Sequence, residues 1–272
     1  SFQQALKLKP NYPDALFNLS QTEFLLEDYA SGWEHYEYRF TKSEPLVIHG
    51  KPDIPRWQGE ELKKGDKLLV ICEQGLGDTL QYMRYLLYLK NQGLDVSFCA
   101  QLKLHTLIKA SGIDPHPLTP EQALLVSEGK WIPLLSIPKY LGVSPKHPII
   151  SNPYISSTKS YLSKWKNILS SEKEPIIGLN WQGNPDMEKT YKGRSIPLEA
   201  FSILSSQNEI TMLSLQKGFG SEQLETCSFR NRFVKCQREV DETWDFLENA
   251  AIIANCDLIL TCDTSIAHLA GG

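Results

Sequence analysis

Apolar positions in the first forty residues recur at helical spacing. Ala5 and Leu8 precede Pro10; Ala15, Leu16, Leu19, Leu26, Trp33 and Tyr36 follow the break Asn11-Tyr12-Pro13-Asp14. This pattern predicts two or three helices between Ser1 and Phe40. The period is lost from Pro45 to Gly59, where Pro45, Gly50, Pro52 and Pro55 mark a connector with Trp57 as its candidate anchor. The run Lys67–Cys72 then reads as a buried strand, Glu73–Gly77 as a tight loop, and Asp78–Lys90 as a helix that offers Leu80, Met83, Leu86, Leu87 and Leu89 for packing. Asp78 is placed to cap that helix, and Gly75 and Gly77 let a ligand come close to the backbone. The rhythm continues with a strand at Leu94–Cys99, a helix at Leu102–Ser111 and a short strand at Trp131–Leu135.

A second strand and helix series follows a helix over Lys159–Leu169. Pro175–Trp181 is its first strand, and the polar loop Gln182–Arg194 comes next. Ser195 is an N-cap candidate with Pro197 in the first turn, so Arg194 stands just before a positive helix end. Ile210–Leu215 is the next strand, with Gln216-Lys217-Gly218 at its carboxyl end, where open α/β sheets bind ligands. The strand Cys256–Cys262 turns at once into a helix through Asp263-Thr264-Ser265-Ile266-Ala267-His268. Backbone N–H groups, the Thr264 and Ser265 hydroxyls and His268 one turn further on suit this turn to a phosphate.

Composition narrows the classes. The 272 residues point to about two domains, and 41% hydrophobic with 22% charged residues describes a folded globular chain, not a disordered one. A net charge of −4 gives no basic footprint for nucleic acid or acidic lipid, so an anionic ligand must be caught locally. Six cysteines without a C-x-x-C pair read as buried reduced thiols, and the isolated His105, His116 and His147 read as structural or solvated, so no metal site is expected. Neither a bilayer-spanning run nor a signal peptide is legible, and the cytoplasm is the expected compartment. The glycine loop lacks the Lys-Ser/Thr of a P-loop, and Leu80 stands where the dinucleotide fingerprint has its third glycine.

Pro10, Leu16, Asn18-Leu19-Ser20, Gly32 and Tyr36 share one register in which the opening segment resembles a tetratricopeptide repeat, a unit of about 34 residues; Ala5 matches the preceding unit's second helix. Such a repeat needs stacked neighbours, so further repeats are expected before Ser1. Gln74-Gly75-Leu76-Gly77-Asp78-Thr79, then Gly183, Arg194-Ser195-Ile196-Pro197, Gln216-Lys217-Gly218 and Asp263–His268 are together similar to the heptosyltransferase-like family, in its branch with N-terminal tetratricopeptide repeats.

That resemblance implies an α/β fold of two Rossmann-like, doubly wound halves of GT-B type behind a short all-α repeat segment. Residues 1–44 are the partial repeat, 45–171 the acceptor-side domain and 172–272 the nucleotide-sugar domain, expected to be truncated after Gly272. It implies a glycosyltransferase that moves a sugar from a nucleotide-diphosphate sugar to an acceptor hydroxyl, with inversion and without metal or other cofactor. Asp78 is then the general base, with Gly75, Gly77 and Thr79 in the acceptor-side loop. Gly183, Arg194, Ser195, Lys217, Glu222, Asp263, Thr264, Ser265 and His268 are the donor and phosphate residues, Glu222 on the ribose or base. Arg194 departs from the lysine that the heptosyltransferases tend to carry there. A protein or peptide partner is expected at the repeats, by analogy to repeat-bearing protein glycosyltransferases. The rival reading is a non-catalytic, repeat-containing scaffold with a degenerate glycosyltransferase domain.

Overall fold

Lys67–Ile71 (β1) carries the first long apolar run, and its buried residues Leu68 to Ile71 make it the middle of a parallel sheet. Asp95–Cys99 (β2) and Lys130–Pro133 (β3) flank it in the order β2-β1-β3. The second sheet repeats this plan: Ile176–Asn180 (β4), buried throughout, lies between Thr211–Ser214 (β5) and Leu258–Thr261 (β6), again all parallel. In both sheets the winding therefore reverses beside the first strand. At such a switch point, outside the carboxyl ends of the strands, α/β sheets open a crevice for ligands. The chain is a mixed α/β protein with two parallel sheets.

The computed structural model describes residues 2–149, 152–190, 193–206 and 210–272. Ser1 of the predicted helical opening, and Tyr191 and Lys192 of the predicted polar loop, lie outside the described residues. Two compact units do not follow chain order: Ser1–Gly75, Tyr82–Leu102 and His116–Asn152 form one, and Leu76–Gln81, Lys103–Pro115 and Pro153–Gly272 the other.

In the first unit the opening residues form Phe2–Leu8 (α1), Pro13–Leu25 (α2) and Tyr29–Tyr36 (α3), closed by a 3₁₀ turn at Glu37–Phe40. Pro13 suits the first turn of α2, and the Asp28 carboxylate caps α3 by accepting from the Ser31 N–H at 3.2 Å. Gly32 permits the close crossing of α2 and α3, since a β-carbon there would stand 2.6 Å from the Phe24 ring. The connector docks onto β3: the Trp57 N–H donates to the Trp131 carbonyl at 2.8 Å, and the Trp131 N–H to Pro55 at 3.1 Å. Trp57 is buried, with its indole N–H on the Glu60 carbonyl at 2.8 Å.

The helix after β1 departs from expectation. It begins at Leu76, runs to Tyr82 (α4) and is broken at Met83 before Arg84–Asn91 (α5). The turn is complete by Gly75, so Asp78 falls inside the first turn of α4, and it is not the residue before it. There it still meets the positive end of the peptide dipoles.

In the second unit the helix Lys159–Leu169 forms where the period places it, capped by Thr158, whose hydroxyl accepts from the Tyr161 N–H at 3.2 Å. Trp181, Leu179, Met212, Leu198, Phe229 and Phe233 make the core on one face of β4 and β5. The outer edge of β5 is partly closed by Val234, whose N–H donates to Met212 at 2.8 Å, and by the Gln237 amide, which pairs with both backbone groups of Ser214. β6, at the other edge, is less buried, with Leu258 50% exposed. Ser195 is not an N-cap. Its hydroxyl donates to Glu188 at 3.1 Å, and a 3₁₀ turn at Leu198–Phe201 follows Pro197, with the Leu198 N–H satisfied by the Gln223 side chain. The capping role was taken by a residue packed in from elsewhere in the chain. Among the described residues no helix is long and apolar enough to cross a membrane.

Candidate functional site

Asn180 ends β4 at the switch point of the second sheet and is 4% exposed. A buried amide needs partners, and this one ties three strand ends together. Its Oδ1 accepts from the Thr264 hydroxyl at 2.7 Å, with the Thr261 hydroxyl 3.2 Å away, and its Nδ2 donates to Gln216 Oε1 at 2.9 Å. Gln216 Oε1 also accepts from the N–H groups of Trp181 and Gln182, both at 3.0 Å. Thr264, the N-cap of the helix Ser265–Gly271, accepts from the Ile266 N–H at 3.2 Å. Its hydroxyl is thus committed to the cap and to Asn180, and its carbonyl accepts from the Ala267 N–H at 3.1 Å.

Arg194 reaches this turn from the preceding loop. Its Nη2 donates to the Asp263 carbonyl at 2.8 Å and lies 3.0 Å from the Asp263 carboxylate, while its Nε is buried without a partner among the described residues. The loop is held by Glu188, whose carboxylate accepts from the N–H groups of Gly193 (2.6 Å) and Arg194 (3.2 Å) and from Ser195. Burial pushes the Glu188 carboxyl up, and these hydrogen bonds outweigh it and hold it below its usual range. Gly183 passes the same turn at ordinary contact, since a β-carbon there would lie 3.4 Å from the Thr264 methyl.

The glycine loop meets the same helix. A β-carbon at Gly77 would stand 2.9 Å from His268 Cδ2 and 3.5 Å from Ser265 Cα. Gly77 therefore lets the first turn of α4, which also carries Asp78 and the buried Thr79, lie directly on the turn that opens the helix Ser265–Gly271. The segment Tyr154–Ile155 braces both helices: the Tyr154 hydroxyl donates to the Leu80 carbonyl at 2.7 Å, and the N–H groups of Tyr154 and Ile155 donate to Gly272 at 2.8 and 3.1 Å.

Lys217 does not join this group. Its ammonium donates to the Val240 carbonyl, and burial pushes it down to about 8 against the pull of Asp241. Glu222 is exposed, just ahead of the short helix Gln223–Thr226, and Gly75 is exposed in the loop before α4. Sequence reasoning did not assign roles to Asn180, Gln216 and Glu188. Their only local signal is a polar residue at the carboxyl end of a buried strand, for Asn180 and Gln216.

Among the described residues no three His, Cys, Asp or Glu side chains converge as a metal-binding group. All six cysteines are free, and burial pushes their thiols up, to about 12 for Cys99 and Cys256. They are thiols, not thiolate nucleophiles, at neutral pH.

No family model matches the chain, and no curated protein does. Among solved structures it is similar to a glycosyl transferase family 9 protein from Veillonella parvula, at 13% identity over 77% of this chain and 79% of that one, with a TM-score of 0.49. It is similar to the E. coli ADP-heptose lps heptosyltransferase II, at 13% identity over 75% and 81%, TM-score 0.45. The iron-containing dodecameric glycosyltransferase TibC from enterotoxigenic E. coli is a third, at 12% identity over 77% and 56%, TM-score 0.48.

Proposed function

We propose that the chain is a glycosyltransferase that binds a nucleotide-diphosphate sugar at the carboxyl end of the second sheet and transfers the sugar to an acceptor hydroxyl. The observation that carries this reading is the contact of Gly77 with His268 and Ser265, which sets the turn bearing Asp78 on the turn suited to a diphosphate. Asp78 is the base that accepts the hydroxyl proton as the acceptor attacks the anomeric carbon, with inversion. Arg194, the Ser265 N–H and the His268 side chain stabilise the charge that grows on the departing diphosphate. Arg194 shares its guanidinium with Asp263 before the donor arrives. A diphosphate drawing on the same fork satisfies the Arg194 Nε that has no partner among the described residues, an unpaired buried group costing about 1–3 kcal/mol. These cationic and backbone donors do the work assigned elsewhere to a divalent metal. The opening helices act as a tetratricopeptide-type repeat that holds a protein or peptide partner, a reading supported by the close crossing at Gly32 and Phe24.

A panel of nucleotide-diphosphate sugars, with the released nucleoside diphosphate as readout, tests the activity. Turnover of one donor that persists in EDTA is the expected result. A strict requirement for Mg²⁺ or Mn²⁺ would remove the assigned roles of Arg194 and His268, and no turnover with any donor would favour the scaffold reading.

A further inference from the structure

In the first unit the switch point lies between the carboxyl ends of β1 and β3, and side chains of the helical opening occupy it. Glu73 follows β1, Ser136 follows β3, and Arg39 from the 3₁₀ turn after α3 stands between them with its side chain 1% exposed. All five of its N–H donors are used. Nε and Nη2 donate to Glu73 Oε1 at 3.1 and 2.8 Å, and Nη2 also to the Ser136 hydroxyl at 2.7 Å. Nη1 donates to Glu37 Oε1 at 2.9 Å and to the Tyr36 carbonyl at 3.1 Å. The guanidinium carbon also lies 4.0 Å from the Phe40 ring centre and 4.4 Å from that of Tyr36. Arg56 closes the group by donating to Glu37 and, at 3.0 Å, to Ser136. The next loop residue is held from both sides: Gln74 Nε2 donates to the Tyr36 hydroxyl at 2.5 Å, and the Gln74 carbonyl accepts from Gln101 at 2.8 Å.

We propose that Arg39 is a positioning residue for the glycine loop: it fills the crevice of the first sheet and, together with Tyr36, fixes Glu73 and Gln74 so that the loop leaves β1 in one conformation. The importance assigned to that loop rests on the glycosyltransferase reading. The helical opening is on this account a working part of the α/β unit and not an appended module. Only a planar five-donor fork can serve Glu73, Glu37, Ser136 and a carbonyl at once, so lysine cannot replace it. Burial pushes the Glu73 carboxyl up to about 7 even with Arg39 and Arg56 beside it, and its Oε2 has no partner among the described residues. A buried pair of this kind contributes weakly to net stability, and apolar residues of similar volume can replace it with little loss of fold. What such a replacement removes is the directed set of hydrogen bonds.

Hydrogen exchange on the whole chain tests this, comparing wild type with Arg39→Lys, Arg39→Met and the double variant Arg39→Met/Glu73→Met. In the double variant the melting temperature stays within a few degrees of wild type. Exchange in the peptide Cys72–Thr79 accelerates about tenfold, and exchange in β4 does not change. Arg39→Lys recovers only part of the protection. Unchanged exchange of that peptide in the folded double variant overturns the assignment. So does loss of folding in both Met-bearing variants while Arg39→Lys protects the loop like wild type, which reduces Arg39 to a stabilising charge. Calorimetry with ADP, UDP, GDP, CDP and dTDP runs in parallel. If none binds the wild type, the glycosyltransferase reading fails while the exchange result still decides the role of Arg39.

Discussion

Gly77 and His268 are 191 positions apart in the chain and in direct contact, with 2.9 Å between the imidazole Cδ2 and the place a β-carbon would take at 77. Gly77→Ala is therefore expected to turn the imidazole out of its present position. Overpacking of this size costs about 1–3 kcal/mol, partly offset because alanine favours the helix more than glycine. Imidazole nitrogen shifts of His268 by NMR read the displacement. Shifts identical to wild type would show that the two turns do not bear on each other in solution.

The roles proposed for Asp78 and for the Asp263–Ser265 turn can be measured separately. Asp78→Asn keeps a hydrogen-bonding side chain in the first turn of α4 but accepts no proton. Donor binding should be retained and transfer lost. Arg194→Ala and His268→Ala should weaken nucleoside diphosphate binding by about 1–3 kcal/mol each, as expected for charge-assisted contacts. Titration calorimetry on the three variants distinguishes the roles. Equal affinity in wild type, Arg194→Ala and His268→Ala would move the phosphate site elsewhere.

Asn180→Leu should destabilise the second unit and loosen the turn at once. It leaves the Thr264 hydroxyl without its buried acceptor, at about 1–3 kcal/mol, and removes one of the three donors to Gln216 Oε1, which keeps the N–H groups of Trp181 and Gln182. Urea denaturation gives the stability, and nucleotide affinity should fall although Asn180 itself is buried. A stable variant with wild-type affinity would show that the turn keeps its shape without this amide.

Lys217 supplies a pH test. Its ammonium is pushed down to about 8 by burial, from 10.5. Between these values the unfolded chain binds more protons at this position than the folded one, so the Lys217 contribution to stability rises with pH from about 8 to 10.5; below 8 the buried charge costs stability. Lys217→Met should thus be at least as stable as wild type at pH 7, and the difference should shrink toward pH 10. Paired urea titrations at the two pH values check it. Nucleotide affinity should change little, because the ammonium already serves the Val240 carbonyl. A large loss of affinity would return Lys217 to the phosphate site.

Hydrophobic patterning by itself marked the strands of both sheets and several of the helices, though not the buried helix Phe246–Ile253. The helix Lys159–Leu169 has the bounds its pattern predicts, and the strands β1, β2 and β4 fall inside their predicted runs, because burial of one face is written into neighbouring residues. Glycine and hydroxyl placement at strand ends also marked the loop of Gly75 and Gly77 and the turn of Thr264. Helix starts were less legible. Asp78 and Ser195 both have the side chain of an N-cap, yet Gly75 completes one turn early and Gln223 satisfies the other from outside. Only tertiary structure decided which polar groups meet: Arg39 with Glu73, Asn180 with Thr264, Arg194 with Asp263. Each of these pairs is joined by chain crossings tens of residues apart, and the need of a buried donor or acceptor for a partner does not specify, in sequence, which partner it will find.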